Sequence, residues 1–105
     1  LMSADDQAIV VKQINGTNSN LILEKYGYGL TPLMIEKIKK LGISEIELCG
    51  TDTDACVMAI AYNLFDNNIK PIILSELCGS SSKNKEIHFN SIEIMARSFG
   101  KENIK

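Results

Sequence analysis

The stretch Leu48-Cys49-Gly50-Thr51-Asp52-Thr53-Asp54-Ala55-Cys56-Val57 decides how the rest of the chain is read. It begins as the end of an apolar-rich run from Ile43 to Cys49 and breaks at Gly50. After a polar turn it enters a segment whose apolar residues Val57, Ile60, Ala61, Leu64 and Phe65 recur at helical spacing. A strand that passes through a glycine-opened turn into a helix is the first half of a strand-helix-strand unit. The second half follows: Asp66-Asn67-Asn68 ends the helix, and Pro71-Ile72-Ile73-Leu74 is a short, continuously apolar strand. Strands that are apolar throughout, rather than alternating, belong to parallel sheets covered on both faces.

Upstream of this unit, Thr31-Pro32 predicts a helix start, because the hydroxyl caps open amides and proline suits the first helical position. Leu33, Met34, Ile38 and Leu41 form its expected inward stripe, and Gly42 turns the chain at its end. Leu21-Ile22-Leu23 reads as a buried strand ending near Lys25, followed by Tyr26-Gly27-Tyr28-Gly29. At the start, Ser3 with Asp6, then Ala8, Ile9, Val10, Val11 and Ile14, reads as a capped helix stopped by Asn15-Gly16. Downstream, Ser75 to Lys85 reads as a polar loop and Glu86 to Phe99 as a fourth helix with Ile87, Ile92, Met95 and Phe99 inward. Gly100 closes that helix, and Lys101 to Lys105 is a tail or the start of another strand. The fold class is therefore α/β: one Rossmann-like domain over residues 1–105, with three layers and three parallel strands whose carboxyl ends share the ligand-binding edge.

Composition narrows the function classes. A chain of 105 residues, 45% hydrophobic and 23% charged, has room for one ordinary globular core. A net charge of -2 with 11 scattered Lys and Arg offers no field for nucleic acid. No apolar run approaches the length of a membrane span, and Leu1 to Asp6 lacks the features of a secretory signal. Three cysteines without paired Cys-x-x-Cys spacing argue against a disulfide framework or a structural zinc site, and favour a reducing, cytoplasmic setting.

Of the segments leaving strand ends at the carboxyl edge, Gly50 to Cys56 carries the chemistry. A cysteine in the first turn after a strand-to-helix turn is exposed as a nucleophile. The helix amides there favour a thiolate and can hold an oxyanion. Lys25, leaving its strand on the same edge, would push the same way. The alternative is that Cys56 is a small apolar core residue and Lys25 a solvated strand-end lysine. Asp52 and Asp54 are too few oxygens for a metal site, and Asp54 beside a helix start reads as a cap. His88 reads as a structural or surface hydrogen-bonding residue, not a base. Cys49 reads as core, while Cys78, in the polar loop, either lines a pocket or is inert. Tyr26 and Tyr28 either wall a substrate pocket or pack over the sheet edge.

These residues resemble the isochorismatase-like cysteine hydrolases, the superfamily that includes nicotinamidases. In that family a glycine, two variable residues, Thr-Asp, one residue and Cys-Val follow the central strand, as Gly50 to Val57 do here. Glu24-Lys25-Tyr26-Gly27-Tyr28 resembles the family's lysine segment, and the strand Asn68 to Leu74, Ser80-Ser81 and His88 fall where the pattern has counterparts. The resemblance covers roughly Leu21 to Ile104.

The resemblance implies an Asp-Lys-Cys triad in which Cys56 attacks a carbonyl, an aspartate shuttles the proton and Lys25 holds both in the charged state. It also implies a cis peptide at Thr51-Asp52 and an oxyanion hole from the amides of Asp52 and Cys56. No cofactor is implied by this part of the pattern. The family's aspartate lies in an N-terminal segment, which in nicotinamidases also carries an Asp/His metal site. Asp5 and Asp6 do not match it, so the chain is expected to be the C-terminal portion of such a hydrolase, an incomplete three-strand piece. Completion of its sheet by self-association, or by another chain, is the expected partnership. The expected function is cleavage of an amide C–N bond in a small molecule through a Cys56 thioester, with little turnover expected from this chain alone because the proton carrier of the triad has no match in it. The alternative is a truncated or degenerate, non-catalytic member acting as a binding or assembly module. A nucleotide-binding module is disfavoured, since Gly50 to Cys56 lacks the several glycines that cradle a phosphate.

Overall fold

The computed structural model describes residues 8–12, 20–24 and 26–105. Their order is β1 (Ala8–Lys12), β2 (Asn20–Glu24), α1 (Pro32–Lys40), β3 (Glu45–Thr51), a π-helical turn (Thr53–Val57), α2 (Met58–Asp66), β4 (Lys70–Gly79), α3 (Glu86–Phe99) and a 3-10 turn (Lys101–Asn103). The class is α/β, with β3 and β4 parallel and a helix between them.

Two expectations about the amino-terminal third are corrected. The helix expected from Ser3 to Ile14 is a strand over Ala8–Lys12; Ser3, Asp5, Asp6 and Asn15-Gly16 lie outside the described residues. Ile9, Val10 and Val11 are consecutive β-branched residues, stiff at χ1 and better suited to a pleated strand than to a helix. With β1 extended, β2 pairs with it antiparallel, Ala8 opposite Glu24 and Val10 opposite Ile22. The expected set of three parallel strands is thus a two-stranded parallel sheet and a separate two-stranded antiparallel ladder. An antiparallel partner needs only a short connection, whereas a parallel one needs a full crossover.

The parallel ladder runs from Glu45 opposite Lys70 to Leu48 opposite Ile73, shifts, and resumes with Gly50 opposite Cys78 and Thr51 opposite Gly79. β4 therefore reaches Gly79, although Ser75 onward reads as loop from its polarity. Across the shift β4 turns to the carboxyl-terminal residues: Lys105 N donates to Ile73 O and Ser75 N to Lys105 O, both at 2.7 Å, with a parallel bridge between Ile73 and Ile104. The last residues thus form the start of another strand, on the side of β4 away from β3.

Thr31 caps α1, its hydroxyl accepting from Met34 N at 3.3 Å, and Pro32 opens the helix. The buried residues are Ile35 and Ile38, with Met34 half-buried against the same cluster as expected, but Leu33 is 59% exposed. Leu33 stands five residues before Ile38, about 140° around the helix, whereas Ile35 is one turn away. Ile35 and Ile38 pack with Leu30, Ile60, Leu64 and Ile69 in one cluster; Ala61, Ile73, Met95 and Phe99 form a second. α2 supplies residues to both, and Leu48 of β3 packs against both. β4 is buried from Pro71 to Ile73, but β3 alternates, with Ile46 and Leu48 half-buried and Glu45, Glu47 and Cys49 exposed. Cys49, expected in the core, stands instead on the open face of β3.

Candidate active site

β3 ends at Thr51, the Thr51–Asp52 peptide is cis, and the next five residues wind into a π-helical turn before α2. The turn closes on one carbonyl: Ala55 N and Val57 N both donate to Asp52 O at 3.1 Å. The wider spacing of the second bond makes room for one extra residue per turn. It carries Thr53, Cys56 and Val57 into the interior, so Cys56, expected to stand exposed in the first turn of the helix, is instead buried at 7% exposure, because the π-helical turn ahead of α2 rotates it inward.

Side chains from β4 onward hold this turn. Asp52 accepts from Ser81 twice, from its amide and its hydroxyl, both at 2.8 Å. Asp54 Oδ1 accepts from Ser80 Oγ at 2.6 Å. Thr53 Oγ1 and His88 Nδ1 lie 2.7 Å apart. Asp54 therefore ties two loops together, and neither the turn nor α2 carries a side-chain cap. The carboxylates of Asp52 and Asp54 are already engaged by serines. Among the described residues, no three of His, Cys, Asp and Glu are grouped so that they could hold a metal ion.

Lys25 lies outside the described residues. Tyr26 and Tyr28, which follow it, are 82% and 57% exposed, and their segment is anchored one residue past Gly29, where Leu30 N donates to Asn63 Oδ1 at 2.7 Å. A Cβ on Gly29 would collide with that same oxygen. Gly29→Ala is accordingly expected to displace Asn63, leave the Leu30 amide without this acceptor and cost about 1–3 kcal/mol, read as a lower urea midpoint.

Cys78 lies within β4, half-buried beside the second cluster, with Sγ 3.8 Å from Leu48 O. Burial pushes its thiol up; the Gly50 backbone pulls it partly back, and neighbouring Cys49 adds a smaller upward push. The folded state therefore holds this proton more tightly than the unfolded chain. The resulting stability is present below the ordinary thiol pKa of about 8.5 and is lost as pH rises through the raised folded value. Alkylation by iodoacetamide at pH 8 is expected to lag at Cys78 behind exposed Cys49, and to catch up only at higher pH.

Sequence reading had no local signal for the pairs Asp52 with Ser81, Asp54 with Ser80 or Thr53 with His88. Their partners stand 26 to 35 residues apart. Among the described residues, no helix is long and apolar enough to cross a membrane.

The profile of the isochorismatase domain matches residues 4–101. Among solved structures, an isochorismatase-like hydrolase from Alkaliphilus metalliredigens is 25% identical with a TM-score of 0.63, over 71% of this chain and 41% of that one. A nicotinamidase from Bacillus subtilis is 24% identical with a TM-score of 0.66, over 73% of this chain and 42% of its own. A yeast nicotinamidase shares the fold at 16% identity and a TM-score of 0.62, over 73% of this chain and 39% of its own. The chain thus spans about two fifths of the length of these solved relatives. Among curated protein sequences, none matches it.

Proposed function

The chain belongs to the isochorismatase family, and from that membership we propose that it carries the nucleophile of a cysteine hydrolase that cleaves the amide C–N bond of a small molecule. One observation carries the reading: Cys56 sits inside a turn between β3 and α2 that three side-chain attachments hold in place. A nucleophile needs its reacting atom fixed relative to the groups that stabilise the developing charge.

In the proposed reaction the Cys56 sulfur attacks the amide carbonyl carbon. The carbonyl oxygen takes the negative charge and is held by the backbone N–H groups of Asp52 and Cys56. The C–N bond then breaks, and the nitrogen leaves with the proton that the Cys56 thiol gave up on attack, carried between them by a carboxylate. Water hydrolyses the remaining thioester, releasing the acid and returning the thiol. Lys25 matches the family lysine that keeps nucleophile and acid charged, and the proton carrier matches no residue of this chain.

The test is incubation with a panel of small primary amides, nicotinamide included, with ammonia release followed and acid-quenched protein weighed intact. The expected result is slow ammonia release, since the chain has no match for the proton carrier, with an acyl adduct on the Cys56 peptide. Ammonia release without an adduct at Cys56 overturns the thioester route.

A second reading, assembly, is favoured by the edge of β3. Among the described residues β3 pairs only with β4, and Cys49, Gly50 and Thr51 at its carboxyl end are exposed. A further strand laid along that edge, from a second copy or another chain, would cover it beside the Cys56 turn. Solution mass above that of the monomer is the expected result, and a strictly monomeric, folded chain counts against it.

A further inference from the structure

Beyond the nucleophile itself, we propose that His88 is a positioning residue for the Cys56 turn, acting through the Thr53 hydroxyl. The proposal rests on the hydrolase reading for its catalytic consequence, but not for its structural content.

Thr53 is fully buried, at 0% exposure, in the same five-residue turn as Cys56. A hydroxyl so placed must be hydrogen-bonded, because leaving it without a partner carries its whole desolvation cost. The contact the structure provides is His88 Nδ1 at 2.7 Å, from the first turn of α3 and 35 residues away in the chain. The two other attachments of the turn are of a different kind. Ser80 to Asp54 and Ser81 to Asp52 are exposed bonds, which water competes for, whereas the Thr53–His88 bond is partly buried. In a drier environment a hydrogen bond is stronger and its loss dearer.

The imidazole ring meets that of Phe89 edge-on, with centroids 5.0 Å apart, but Phe89 is itself 68% exposed, so the helix and not this contact places His88. α3 is anchored by Ser91, Met95 and Phe99, which are buried, so the position of His88 is set by the second hydrophobic cluster. The chain of contacts therefore runs from that core through α3 and His88 to Thr53, and from Thr53 to the turn that carries Cys56. His88 need not touch a substrate to act; it fixes where the sulfur and the turn amides stand.

Thr53→Val keeps the shape of the side chain and removes the hydroxyl. His88→Leu removes the ring nitrogens, and His88→Asn retains an amide nitrogen near the position of Nδ1. The first readout is hydrogen exchange of the Ala55 and Val57 amides, which close the turn on Asp52 O. Exchange roughly tenfold faster is expected in Thr53→Val and His88→Leu while α2 amides change little, with a thermal midpoint several degrees lower in His88→Leu, where the buried hydroxyl loses its partner, and both effects largely recovered in His88→Asn. The double variant Thr53→Val/His88→Leu is expected to be no worse than the more affected single variant, because both remove one bond. The second readout is amide hydrolysis: kcat falls roughly tenfold in the two disrupting variants while KM holds, and His88→Asn recovers most of it.

Unchanged exchange in both disrupting variants, or His88→Asn as impaired as His88→Leu, overturns the proposal whatever the activity. If Thr53→Val unfolds, the His88→Leu and His88→Asn pair decides alone, since His88 is only half-buried. A native protein that hydrolyses no amide yet shows the expected exchange pattern supports the positioning link and defeats only the hydrolase reading.

Discussion

Cys56→Ala is expected to lower amide turnover by about 10⁴-fold or more, with no acyl adduct left to trap. A covalent route has no substitute for its nucleophile, and the remaining oxyanion donors and binding contacts retain only a small residual rate. The fold should survive the change. Cys56 is 7% exposed, and removing one sulfur atom opens a small void worth about 1 kcal/mol, far below the cost of truncating a large core residue. Turnover lost with the melting curve nearly intact separates a chemical role from a packing one. Cys49→Ala is the matched control, because Cys49 is exposed on β3 and reaches no catalytic group in the proposed reaction. Turnover within a few-fold of native in Cys56→Ala would refute the nucleophile assignment.

Ile73→Ala carries the largest expected effect on stability, about 3–4 kcal/mol. Ile73 has 0% exposure, pairs across the sheet with Leu48, bridges to Ile104, and packs in the cluster of Ala61, Met95 and Phe99. Truncation there removes contacts on every side, and the neighbours on two strands and two helices are too constrained to collapse into the gap. Against the roughly 5–15 kcal/mol that holds a domain of this size, that is a large share. A urea titration should show the midpoint falling at unchanged slope, and the melting temperature dropping by about 10–25 °C. Leu33→Ala is the contrasting case. The spacing of Leu33 puts it on the expected inward stripe of α1, yet it is 59% exposed, and its truncation should cost no more than about 0.5 kcal/mol. Equal losses in the two variants would mean that the core is not where the structure has it.

These contrasts show which signals were legible. The helix opened by Thr31-Pro32, the helix from Glu86 to Phe99 and the strand-turn-helix through Gly50 were all readable, because each depends on residues a few positions apart. The Gly50 to Val57 pattern likewise singled out Cys56 without any tertiary information. The amino-terminal error has the same origin. Ala8 to Val11 is apolar in an unbroken run, and such a run carries no periodicity to separate helix from strand; pairing with Asn20–Glu24 settled it. The far half of β4 was invisible for a similar reason, since Ser75 and Glu76 look like loop until Cys78 and Gly79 pair again with Gly50 and Thr51.

The sequence by itself determined the α/β class, the family and the turn on which Cys56 stands, since a glycine break, a Thr-Pro start and helical spacing act locally on the backbone. Only the tertiary structure decided what holds that turn. Ser80, Ser81 and His88 reach it across 26 to 35 residues of chain, and no local spacing encodes such a meeting. It is brought about by burial, as packing of α2 and α3 against β4 sets those side chains beside the turn and leaves Thr53 with a hydroxyl that must find a partner away from water.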